Sequence, residues 1–224
     1  MDNQVGIAIL FLIALSLLLT FNEMVYRRLG LKGEITRKFA HFTATLSTVT
    51  FPYLFEDHWY VLALAAIFFI LLLVSRNSTY LKSIHDIDRI SAGSYLLPLS
   101  IYLTFLISNL LDDRLLFILP MMVLAICDPV AGVLGLNLQQ YNHKIRIFKR
   151  KLQKTWLGSI SFLISCFIIS IIALYFRFMS FEPKVFWLAL LVAVVGAIVE
   201  MISWKGLDNL TIPMSVMIVL IIAL

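Results

Sequence analysis

Eight apolar stretches, at residues 5–22, 38–55, 59–74, 92–110, 115–136, 156–176, 185–203 and 209–224, constrain the fold of this chain more than any other feature. A helix needs about 20 mostly apolar residues to cross a bilayer. Inside hydrocarbon, each backbone N–H and C=O must find its partner within the segment or a closed barrel. Repeated blocks of this length therefore predict an all-α fold, a polytopic membrane helix bundle of about eight spans (roughly 7–9). The second stretch is the most dilute, because it carries Thr43, Thr45, Ser47, Thr48 and Thr50, and the third and last are short. Composition agrees with this reading: 61% of residues are hydrophobic, 14% are charged and the mean hydropathy is +0.96. Ordinary soluble domains do not have such a composition. With no internal repeat and no low-complexity tract, residues 1–224 read as a single membrane-embedded domain. The first stretch lacks a preceding basic flank and a following small-residue cleavage site, so it reads as a membrane helix rather than a signal peptide. Cys127 and Cys166 lie inside apolar blocks and read as small core residues.

Charge sets the expected orientation. With eight spans, all but three of the 18 Lys and Arg residues fall in loops on one side; the exceptions are Arg114, Arg177 and Lys184. Lys and Arg accumulate in cytoplasmic loops, so the basic side is expected to be cytoplasmic and both termini outside. The net charge of +5 is explained by those loops, and no nucleic-acid partner is expected.

Ionisable residues next to hydrocarbon are costly and point to a site. Four groups stand out. In the first, Glu34, Arg37 and His41 share a helical face, with Lys38 beside them. Arg and Lys suit phosphate oxygens and His suits a phosphate or a proton; the two cations would equally suit snorkelling to lipid headgroups. In the second, Asp128 lies within an apolar run, about 12 Å from its cytoplasmic end at 1.5 Å per residue. Pro129 follows it, and Ala131, Gly132 and Gly135 make a small face below it. That pattern suits a close ligand, or a helix-packing groove with a buried acid. The third is the basic loop from Gln139 to Lys154, which ends in Lys154, Thr155, Gly158 and Ser159 at a helix N-terminus. Such a terminus favours anions, although Lys149, Arg150 and Lys151 suit topology and headgroup contacts. The fourth runs from Glu200 through Ser203, Gly206, Asp208 and Asn209 to Pro213. Asp208 also suits a plain helix cap, whereas Glu200 has no such role. A weaker group is Asp86, Asp88, Arg89 and Gly93. Cations for phosphate beside carboxylates for Mg²⁺ are the equipment of phosphoryl or nucleotidyl transfer.

At these residues the chain resembles the dolichol kinase and phytol kinase family of CTP-dependent lipid-alcohol kinases, which is related to the phosphatidate cytidylyltransferases. The family's acid, Arg-Lys and His pattern is similar to Glu34, Arg37, Lys38 and His41. Its Asp followed by small residues is similar to Asp128, Ala131, Gly132 and Gly135. Its Lys-Ser/Thr and Gly-Ser pairs are similar to Lys154, Thr155, Gly158 and Ser159. Its closing Glu, Gly-x-Asp-Asn and Pro are similar to Glu200, Gly206, Asp208, Asn209 and Pro213. The four motifs occur in matching order over residues 34–213. Leu157 stands where many members have an acid. The compact length resembles the phytol kinase branch.

The resemblance implies transfer of the terminal phosphate of CTP to a long-chain isoprenoid or other lipid alcohol on the cytoplasmic side. Asp128, Asp208 and Glu200 would hold Mg²⁺, and one of these acids or His41 would take the hydroxyl proton. Arg37, Lys38, Lys154, Thr155, Gly132, Gly135, Gly158, Ser159 and Asn209 would meet the nucleotide and its phosphates. The expected partners are the lipid alcohol, a nucleoside triphosphate and membrane lipids, with oligomeric state open. Two other readings remain: cytidylyl transfer giving a CDP-lipid, and a transporter using Asp128 and Glu200.

Overall fold

Helix occupies every one of the eight apolar stretches. The structure, a computed structural model, describes residues 2–30, 33–76, 80–85, 92–137, 144–147 and 150–224. The elements are α1 (Asp2–Leu29), α2 (Gly33–Thr48), α3 (Phe51–Leu54), α4 (His58–Ser75), α5 (Lys82–His85) and α6 (Gly93–Leu110). They continue with α7 (Leu115–Met122), α8 (Asp128–Asn137), β1 (Lys144–Ile147), β2 (Arg150–Thr155), α9 (Trp156–Phe178), α10 (Pro183–Ile202) and α11 (Asp208–Ala223). Among the described residues, 6 helical runs are long and apolar enough to cross a membrane. With α2 and the shorter apolar α11, they make the expected all-α membrane bundle.

The second stretch differs in detail from expectation. It starts earlier, at Gly33, and breaks after Thr48 into the single turn of α3. Ser47, Thr48 and Thr50 turn their hydroxyls back onto the carbonyls of Ala44, Thr45 and Ser47 at 2.7, 2.7 and 2.9 Å. Such back-bonding competes with the helical ladder. Pro52, which has no N–H to donate, then sits in the first turn of α3.

The fifth stretch is one apolar run interrupted by a π-helical segment at Val123–Cys127, between α7 and α8. Pro129 gives the physical reason. It cannot donate to the carbonyl four residues back, and an i→i+5 pattern skips the missing donor. Asp128 thus starts α8 directly after the irregular turn.

The stretch between α8 and α9, expected as a basic loop, contains a hairpin. β1 and β2 pair antiparallel, with Lys144 opposite Thr155 and Ile147 opposite Arg150. Lys149 and residues 138–143 lie outside the described residues, as do Asp86, Asp88 and Arg89.

Phe51, Phe117, Leu119, Leu124 and Phe162 are fully or almost fully buried between helices. α9 and α10 approach closely at Gly196, where an added Cβ would stand 3.2 Å from Phe162. On the outer face of α9, Ile160, Ile164, Ile168 and Ile172 form an exposed stripe at i+4 spacing. A water-soluble protein would bury such a stripe; in a bilayer it meets lipid. At the less basic end of the bundle, Arg177 pairs with Asp113 at 3.2 Å, and Arg114 lies 4.9 Å from the centre of the Tyr53 ring. Two of the three expected outliers of the charge bias therefore sit together, opposite the acids described next.

Candidate active site

Glu200, in the last turn of α10, is almost fully buried, at 2% exposure. A carboxylate in that position needs partners, and each oxygen has one. Oε1 lies 2.8 Å from the Lys154 ammonium, and Oε2 accepts the Ser159 hydroxyl at 3.0 Å. The hairpin delivers Lys154, because β2 ends at Thr155 and α9 begins at the next residue. Thr155 caps α9 by accepting the Gly158 N–H at 3.3 Å, so it serves the helix terminus. Ser159, one residue further on, faces Glu200.

Lys154 is shared. Its Nζ also lies 3.1 Å from Asp208 and 3.9 Å from Asp128. Burial alone would favour the neutral amine, but Asp208, Asp128 and Glu200 outweigh it and hold the Lys154 pKa above that of an ordinary lysine. Lys38 approaches Asp128 from α2, 3.6 Å from Oδ2 and 3.5 Å from the backbone carbonyl. Three carboxylates and two ammonium groups from α2, α8, β2, α10 and α11 thus meet at one rim of the bundle. The acids are not equivalent. Glu200 has both oxygens committed at hydrogen-bond distance. Asp128 holds its cations at 3.6 and 3.9 Å, beyond the ordinary 2.7–3.2 Å range, and keeps acceptor capacity.

Asp208 is the first residue of α11, after the turn made by Lys205 and Gly206, both at positive φ. Its Oδ1 accepts the Asn209 N–H at 3.2 Å while Oδ2 faces Lys154, so it supports the helix start and the charge cluster together. The Asn209 side chain donates to the Gly93 carbonyl at 2.7 Å, and the Ala92 N–H reaches the Lys205 carbonyl at 2.8 Å. Asn209 therefore ties α11 to the start of α6. In the sequence Gly93 groups with Arg89, and its contact with Asn209 is not visible there, because a backbone acceptor leaves no mark in composition.

The glycines make room for these groups. A Cβ on Gly132 would run into the Lys38 ammonium. One on Gly135 would stand 2.9 Å from Thr155 Oγ1, and one on Gly158 would stand 3.0 Å from the Ala131 carbonyl. Gly132 thus admits Lys38 to Asp128, while Gly135 and Gly158 let α8 and α9 pack closely. Arg37 precedes Lys38 on α2 with its Nε buried. His41 lies one turn on; its Nε2 is buried with no hydrogen-bond partner among the described residues, and Asp128 and Asp208 are among the charges acting on it. Glu34 lies on α2, and its side chain is outside the described residues.

Carboxylate oxygens are the donors that Mg²⁺ prefers. Among the described residues, no three His, Cys, Asp or Glu side chains gather closely enough to hold a metal by themselves. The three acids surround Lys154 instead. This fits a cation held by one or two carboxylates together with substrate phosphates better than an all-protein cage.

Fold and site together define a multi-pass membrane helix bundle with a buried, mixed-charge cluster at one rim. The chain is 27% identical over 183 residues to the phytol kinase of Synechocystis sp., an alignment covering 81% of this chain and 76% of that protein. The likeness supports a distant relationship to a phytol kinase-like family. No family model matches the chain, and no solved structure matches it.

Proposed function

We propose that this protein is a membrane kinase that moves the terminal phosphate of CTP to the hydroxyl of a long-chain isoprenoid or related lipid alcohol at the cytoplasmic face. The observation that carries this reading is the meeting of Lys38, Asp128, Lys154, Glu200 and Asp208 at one rim. Phosphoryl transfer depends mostly on positioning and on offsetting phosphate charge, and this cluster supplies both. The likeness to a phytol kinase supports the acceptor class, and the motif resemblance supports CTP.

In this reading the alcohol oxygen attacks the terminal phosphorus, the bond from that phosphorus to its bridging oxygen breaks, and CDP leaves. Asp128, the acid with free acceptor capacity, or His41 takes the hydroxyl proton. Lys154, Lys38 and Arg37 meet the phosphate oxygens. Asp128 and Asp208 are the acids that would hold Mg²⁺ against the phosphates, where it would offset their charge. Glu200 holds Lys154 in place and Ser159 holds Glu200.

The test is purified protein with Mg²⁺, a panel of γ-labelled nucleotides and a mixed pool of lipid alcohols, with products separated by mass. Label in a lipid monophosphate, strongest with CTP and lost on chelation, is the expected result. Pyrophosphate with a CDP-lipid would instead establish cytidylyl transfer. Substrate flux in liposomes without nucleotide would establish a carrier.

A further inference from the structure

Helix α2 carries several hydroxyls, and one of them stands apart. Thr36 donates to the Ser83 carbonyl at 2.9 Å, Thr43 to Phe39 at 2.8 Å, Ser47 to Ala44 at 2.7 Å and Thr48 to Thr45 at 2.7 Å. Thr45 is completely buried, and its Oγ1 has no hydrogen-bond partner among the described residues. One turn earlier on the same face, His41 Nε2 is buried and unpartnered as well. A buried helical hydroxyl ordinarily returns to a carbonyl of the preceding turn, and hydrocarbon offers no substitute. Two orphans in register on one face therefore point to a ligand that satisfies both. Residues at i and i+4 have Cβ atoms about 5–6 Å apart. One hydroxyl both donates and accepts, so a single alcohol group can serve two polar atoms on that face. The place is suitable, because α2 packs against the π-helical segment and α8 and so stands beside Asp128.

We propose that His41 and Thr45 form the acceptor subsite, with the terminal hydroxyl of a long-chain primary alcohol seated between His41 Nε2 and Thr45 Oγ1. Thr45 donates to the alcohol oxygen, and the alcohol O–H donates to His41. The hydrocarbon chain runs from there into the bilayer. This inference rests on the kinase reading and narrows it, since it assigns recognition of the hydroxyl to α2 and leaves the nucleotide to the charged rim.

Thr45→Val removes the hydroxyl at nearly constant volume, and Thr45→Ser keeps it. With phytol and CTP as probes, Thr45→Val is expected to raise the KM for phytol about tenfold, the effect of losing one hydrogen bond at the upper end of the ordinary range. The KM for CTP should stay within about twofold, and Thr45→Ser should recover most of the loss. A Thr45→Val protein with unchanged phytol KM, melting at or above the wild-type temperature, would mean that Thr45 is only an unsatisfied core hydroxyl, and would overturn the proposal. A second measurement needs neither turnover nor a variant. Phytol should raise the melting temperature of the wild-type protein more than phytane, the hydrocarbon that lacks the hydroxyl, and equal shifts would overturn the subsite. Absence of phosphorylated phytol would remove the kinase reading, while the melting comparison would still decide whether a hydroxyl is recognised.

Discussion

At the scale of single residues, the distances separate side chains that motif spacing treats alike. Asp128 keeps acceptor capacity for a ligand or its cation, while Asp208 holds Lys154 and the start of α11 together, so Asp128→Asn and Asp208→Asn should each abolish phosphoryl transfer while expression persists. Near-normal turnover in both would sink the kinase assignment. The glycines divide in the same manner. In Gly132→Ala the new methyl meets the mobile end of Lys38, so the chain should fold normally but push that ammonium off Asp128. In Gly158→Ala the methyl meets the Ala131 backbone carbonyl, which cannot move unless α8 and α9 part. Thermal unfolding should therefore report a loss of about 1–3 kcal/mol for Gly158→Ala and little for Gly132→Ala, with the activity loss larger relative to stability in the latter. Lys154 makes a pH prediction. Its folded-state pKa lies above the ordinary 10.5, so its ion pairs contribute fully below that value and are lost only as pH rises through the raised one. Lys154→Met should lower activity by a similar factor at every pH from about 6 to 9 without displacing the profile. A shifted alkaline limb in that range would show that Lys154 titrates there after all.

Elements tell a different story from residues, because short-range chemistry shapes them in ways that hydropathy does not register. The π-helical segment before Asp128 follows from Pro129, and its effect is a change of phase. Re-forming regular helix through Val123–Cys127 would turn Asp128 by about 100° relative to α7, one residue's rotation. Pro129→Ala restores the donor and permits that change. It should leave thermal stability unchanged or improved and reduce turnover at least tenfold, because Asp128 would no longer face Lys38 and Lys154. Unimpaired turnover with equal stability would show that the irregular turn has no part in placing the acid. Long apolar runs made the bundle readable in the sequence, since the bilayer leaves a segment few alternatives. The break between α2 and α3 was visible only as a dilution by Thr and Ser, although those residues and Pro52 are its cause. The β1–β2 hairpin was not legible at all, because its segment is dominated by Lys and Arg, which also suit an open loop. The charged residues of the rim were legible one by one, as costly groups near hydrocarbon. Their pairing was not, because Glu200 meets Ser159 and Lys154 only through the packing of α10 on α9 and β2.

The whole molecule depends on sidedness. The charged groups assigned to the reaction lie at the end of the bundle that carries most of the Lys and Arg, and the Asp113–Arg177 pair marks the opposite end. If the basic end faces the cytoplasm, nucleotide meets the acids without crossing the membrane, and a lipid alcohol reaches them from within the bilayer. The arrangement can be tested independently of catalysis, because both native cysteines are buried with 0% exposure and should react poorly with a membrane-impermeant maleimide. Single cysteines at exposed positions then report topology. Lys144→Cys and Lys205→Cys probe the basic end, whereas Asp112→Cys and Met179→Cys probe the other. In intact cells or right-side-out vesicles, the last two should label from outside, and the first two only after the membrane is opened. Reversal of that pattern would put the proposed nucleotide site outside the cell and remove the supply of CTP on which the kinase reading depends. Labelling of all four from one side would contradict the alternating passage of α6 to α11 through the bilayer. An intact sidedness pattern combined with inactive Asp128→Asn protein would join fold and chemistry, because the acid that matters would then be reachable only from the nucleotide-bearing side.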